Sequence, residues 1–119
     1  MELGRKLQLK PGSQVALLGV PSGLTIDLPS DTPMATDVDA ADVVLAFVQF
    51  AGDLDGEAAP VLDAAREDRL SWLAYPKAGK LGTDLNRDRL AAVVRERGVQ
   101  PVRQISIDEV WSALRLRPL

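Results

Sequence analysis

The stretch Val15-Ala16-Leu17-Leu18-Gly19-Val20 decides the fold. It is an unbroken apolar run, preceded by Lys10-Pro11-Gly12-Ser13 and followed by Pro21-Ser22-Gly23. Strict alternation of apolar and polar residues would mark a strand with one wet face. A continuous run between turn formers instead marks a strand buried on both faces, as in a parallel sheet. Two further segments share this character: Val43-Val44-Leu45-Ala46-Phe47-Val48, and Leu70-Ser71-Trp72-Leu73-Ala74-Tyr75, which Pro76 closes.

The segments between and beyond these runs read as connections. Leu54, Ala58, Val61, Leu62 and Ala65 recur at helical spacing, which predicts a helix from about Asp53 to Glu67. Pro60 falls inside it, so that helix either starts near Glu57 with Pro60 in its first turn or is kinked there. A second helix is predicted with Thr83 or Asp84 as its cap and Gly98 ending it after Arg97, with Leu85, Leu90, Val93 and Val94 inward. Leu3–Leu9 and Leu24–Leu28 predict short helices, and Pro33–Thr36 is at most a short strand. Val102–Ile107 and Val110–Leu116 flank Asp108-Glu109 and predict a terminal antiparallel hairpin. With a two-residue turn there, Trp111, Ala113, Arg115 and Arg117 share one face of the last strand; Val110, Ser112, Leu114 and Leu116 share the inward one.

Strands alternating with helices predict right-handed crossovers and helices on both sheet faces. The expected fold is α/β: a small Rossmann-like three-layer αβα sandwich over residues 1–119, one domain, with a mainly parallel sheet and the antiparallel hairpin at one edge. A chain of 119 residues, 46 % hydrophobic and 26 % charged, suits one such core.

Composition excludes several chemistries. There is no cysteine and no histidine, so no disulfide, thiolate nucleophile, imidazole base or ordinary zinc site is expected. The net charge of −3 carries no footprint for nucleic acid. The apolar runs are too short for a membrane span, and the start Met1-Glu2-Leu3-Gly4-Arg5-Lys6 leads into no apolar signal core. A cytoplasmic location, without membrane or nucleic-acid partners, is the expectation.

Several motifs carry a resemblance. Lys10-Pro11-Gly12, Trp72-Leu73-Ala74-Tyr75-Pro76-Lys77, Thr83-Asp84-Leu85 and Asp108-Glu109-Val110-Trp111-Ser112-Ala113-Leu114-Arg115 together resemble a bacterial family of small domains of unknown function. That resemblance implies the order of elements above and lends no activity. Lys10 to Gly23 is also similar to the first glycine motif of S-adenosylmethionine-dependent methyltransferases and its lead-in, Asp42-Val43-Val44-Leu45 to their fourth strand, and the terminal hairpin to their last two strands. This second likeness implies that Asp37 or Asp39 would hold a ribose. It departs at Leu17, where the family has an acidic residue, at Pro21, where it has the middle glycine, and in the short chain between Gly23 and Asp42.

Two loops are candidate sites because each leaves the carboxyl end of a strand, where open α/β sheets bind ligands. Gly19, Pro21, Ser22 and Gly23 read either as an anion cradle of amides and the Ser22 hydroxyl, or as an ordinary turn needing glycines. Tyr75, Lys77 and Lys80 lie in a second loop whose two lysines suit a phosphate or carboxylate; a solvated surface loop is the alternative. Asp37, Asp39 and Asp42 lack the spacing of a calcium loop and read as a solvated acidic turn. Trp111 reads as hairpin packing or as a ligand anchor. No catalytic residue, metal or cofactor is expected. The expected function is a non-catalytic binding or interaction module for a small anionic or nucleotide-like ligand or a protein partner. The alternatives are a degenerate or minimal methyltransferase, and a structural subunit that forms a homodimer through the edge hairpin or a helix face.

Overall fold

The computed structural model describes residues 10, 12–24, 32–35 and 37–119. The helix predicted at Leu3–Leu9 lies outside them, as does all but Leu24 of the one predicted at Leu24–Leu28. The three apolar runs form β1 (Val15–Leu18), β2 (Val43–Phe47) and β3 (Leu70–Pro76). They lie side by side and parallel, with Val15 opposite Val43 and Leu45 opposite Trp72. Their continuous hydrophobicity has the expected cause: Val43, Val44, Leu45, Trp72 and Leu73 are all essentially inaccessible, whichever face they point to. Outside β1, Met34 forms a single parallel bridge to Val15, which is all that appears of the Pro33–Thr36 strand among the described residues.

The second half of the sheet departs from expectation. β4 (Val99–Ser106) and β5 (Trp111–Pro118) form the hairpin, but β5 pairs antiparallel with both β3 and β4, giving the order β1-β2-β3-β5-β4. Two ladders are parallel and two antiparallel, so the sheet is mixed rather than mainly parallel. Being antiparallel to the neighbour of β3 makes β4 run the same way as β3. The carboxyl ends of β1, β2, β3 and β4 therefore share one end of the sheet. The hairpin connection spans four residues, not two: Asp108 Oδ1 accepts from the amides of Val110 and Trp111, and Trp111 O accepts from Ile107 N.

Both described α-helices pack on one face. α1 (Pro60–Arg66) places Val61, Leu62, Ala64 and Ala65 against Val44, Ala46, Leu73, Leu114 and Leu116; α2 (Arg87–Arg95) adds Leu90 and Val94 to the same cluster. From β1 to β4 the strands advance in one direction across the sheet, and successive right-handed crossovers in one direction keep their helices on one side. The order reverses at β5 through a hairpin that carries no helix, so the reversal places no helix on the other face. The three-layer sandwich is therefore not formed by the described residues. The opposite face holds Val15, Val43, Leu45, Phe47, Trp72, Ala74, Trp111 and Ala113 in a second buried cluster.

The predicted helix over Asp53–Glu67 divides in two. Ala51–Asp55 is a 3-10 turn, and α1 begins at Pro60 itself, in the first position, where its missing N–H costs nothing. The cap of α2 is Asn86, whose Oδ1 accepts from Arg89 N at 2.8 Å, and not Thr83 or Asp84. Thr83 Oγ1 instead donates to Gln49 O, and Asp84 Oδ1 accepts from Ala51 N. Arg66 joins the helices by donating to Arg97 O through Nε and Nη2, at 2.9 and 2.6 Å. The outer strand β4 carries Pro101 and an irregularity at Val102, both of which discourage the addition of another strand.

Candidate functional site

Because four strands end together, the loops following them converge, and among the described residues they line two depressions at that end of the sheet. The larger, an open cleft of 940 Å³, is bounded by Tyr75 near the end of β3, by Lys77 and Ala78 after it, by Asn86, Arg87 and Asp88 at the start of α2, by Gln104 to Ser106 of β4, and by Ser112 of β5. Ser112 sits opposite Tyr75 across one ladder and opposite Ser106 across the other, which places three hydroxyl groups in a row. Tyr75 is buried, and its hydroxyl shares a hydrogen bond with Ser112. Burial pushes the phenol above its ordinary range; the nearby Arg87 charge opposes this and Asp88 adds to it. The hydroxyl is therefore neutral at physiological pH. Lys77 Nζ donates to Ser106 Oγ at 2.9 Å, which fixes its charge at the rim.

The smaller pocket, 330 Å³, lies at the ends of β1 and β2 and includes Gly19, Pro21, Phe47, Gln49, Asp53, Glu57, Leu81 and Trp111. Gly19 has φ +66, and a Cβ there would come within 3.1 Å of Phe47 O and 3.8 Å of Glu57 Oε2. The pocket thus brings carboxylates to the glycine loop, the opposite of an anion cradle.

The predicted site residues are therefore divided. Tyr75 and Lys77 line the cleft, while Gly19 and Pro21 line the smaller pocket. Ser22 and Gly23 line neither; they form an exposed turn in which Leu24 N donates to Pro21 O, and Gly23 adopts φ +82. Lys80 lies on the 3-10 turn Lys80–Gly82 and also lines neither. The cation that accompanies Lys77 is Arg87, the first residue of α2. Asp37 caps the amide of Asp39, and Asp42 accepts from Gln14 N, so both of these carboxylates brace local backbone. Trp111 packs edge-on against Phe47, ring centroids 5.4 Å apart, and also walls the smaller pocket.

Among the described residues no helix is long and apolar enough to cross a membrane. No protein-family model matches the chain, and no curated protein matches it in sequence.

Proposed function

We propose that this chain is a non-catalytic binding module whose cleft at Tyr75, Lys77 and Arg87 accepts a small anionic or nucleotide-like ligand. The observation that carries the reading is that two cations line one open cleft at the carboxyl ends of β3 and β4, together with uncharged donors and the carboxylate of Asp88. Lys supplies a point charge and Arg a planar fork of donors, a combination suited to phosphate or carboxylate. Gln104, Ser106, Ser112 and the Tyr75 hydroxyl add uncharged hydrogen-bonding groups. Without histidine or cysteine in the sequence, the cleft has no imidazole or thiolate with which to build a base–nucleophile pair.

A bound ligand raises the unfolding midpoint by mass action. Thermal-shift screening against phosphates, nucleotides and carboxylates is expected to find at least one stabilising anion, and Lys77→Ala combined with Arg87→Ala to abolish its effect. A screen in which no anion stabilises, or in which the double variant keeps the whole shift, contradicts the reading.

One arrangement favours the methyltransferase alternative. The strand leading to the Gly19–Gly23 loop lies directly beside the Asp42–Leu45 segment, and a terminal hairpin follows, so the segments that carry that likeness belong to one sheet. Calorimetry with S-adenosylmethionine and S-adenosylhomocysteine separates the two readings: the binding-module reading expects no heat at millimolar ligand.

A further inference from the structure

We propose that the pocket at the ends of β1 and β2 is a second site, for a small molecule with an apolar body and an ammonium group. Its volume of 330 Å³ falls at the low end for ligand sites and restricts the occupant to a compact molecule. Phe47 and Trp111, held edge-to-face at 77°, make a rigid aromatic wall that is itself almost completely buried. Such rings attract cations over their faces and pack against apolar groups.

The charge of the pocket points the same way. Asp53 and Glu57 are among its lining residues, and the described lining contains no lysine or arginine. Asp53 Oδ2 is fixed by the amides of Gln49 and Phe50, at 2.8 and 3.0 Å, so its negative charge is held in place. Glu57 brings its carboxylate close to Gly19, with Oε2 3.8 Å from where a β-carbon would stand.

The rim is built with some strain. Leu81 adopts φ 54 and ψ 23, a left-handed conformation unfavourable for a residue with a β-carbon, yet it is half exposed at the pocket. Gln49 Nε2 holds it there by donating to Leu81 O at 2.6 Å. An exposed leucine pinned in this way supplies an apolar lip over a wall of aromatic rings. This site is separate from the Lys77–Arg87 cleft and has the opposite charge preference.

Titration of the ¹⁵N-labelled protein with 2-phenylethylammonium and with its neutral counterpart 2-phenylethanol, followed by NMR, tests the assignment. The ammonium probe is expected to shift the amides of Gly19, Gly52 and Gly56 saturably and to bind at least about tenfold tighter than the alcohol, as a charge-assisted contact does. Glu57→Gln, an exposed and isosteric change, is expected to remove most of that preference. The assignment is overturned if neither probe shifts these amides, if the shifts centre on Lys77 and Arg87, if both probes bind equally, or if Glu57→Gln leaves the preference intact.

Discussion

Lys77 and Ser106 are joined by a 2.9 Å hydrogen bond from Nζ to Oγ, although β5 lies between the strands that carry them. The bond is made because β3 and β4 run the same way and end together. It holds Lys77 at the rim of the cleft that Arg87 also lines, instead of leaving it to sweep through solvent.

If these two cations hold the ligand, Lys77→Ala and Arg87→Ala should each weaken the best-binding anion by about tenfold, a typical loss for one charge-assisted hydrogen bond. Lys80→Ala should leave affinity within about twofold, since Lys80 is not among the residues that line the cleft. Calorimetric titration of the three variants checks the pattern, and equal losses for Lys80 and Lys77 would count against it.

Tyr75 is the only tyrosine in the chain, so its ionisation can be followed by ultraviolet absorbance without interference. Burial raises its pKa from the ordinary 10.0. The folded state therefore prefers the neutral phenol: this contribution to stability is complete below pH 10.0 and is lost as pH rises through the folded value. Arg87→Ala should move the midpoint higher still, because the Arg87 charge favours the phenolate. A midpoint at or below the ordinary value would contradict the burial of Tyr75.

Gly19→Ala should destabilise the fold more than Gly23→Ala. Both residues have positive φ, for which a β-carbon costs roughly 1–2 kcal/mol. At Gly19 the added atom also meets Phe47 O at 3.1 Å, whereas nothing lies within 4 Å at Gly23. Urea unfolding of the two variants gives the comparison directly.

Trp72 is fully buried at the centre of the sheet face opposite the helices. Trp72→Ala should cost about 3–5 kcal/mol, against less than about 0.5 kcal/mol for Val102→Ala at the exposed bulge. Denaturant midpoints check this; a small loss at Trp72 would mean that this face is not close-packed.

The parallel half of the sheet was legible because β1, β2 and β3 are shielded on both faces, and such strands are apolar at nearly every position, Ser71 being satisfied by Arg69 O. The placement of β5 between β3 and β4 was not: an antiparallel hairpin reads the same whichever of its strands pairs with the sheet. Thr83 and Asp84 looked like caps because their residue types suit a helix start, but tertiary contacts to Gln49 and Ala51 claim them, and Asn86 caps instead. Tyr75 and Lys77 could be read as cleft residues from their positions at and just after the carboxyl end of a strand. Arg87 could not, because nothing local distinguishes an exposed arginine in a first helical turn. Glu57 was absorbed into a predicted helix that in fact begins at Pro60.

The most direct test of the Lys77–Arg87 cleft is an NMR titration of the ¹⁵N-labelled protein with pyrophosphate. Saturable shifts at the amides of Lys77, Ala78, Arg87, Asp88 and Ser106, with Ser22 and Gly23 unmoved, are the predicted result. Shifts centred on Ser22 and Gly23, or none that saturate at millimolar pyrophosphate, would contradict it.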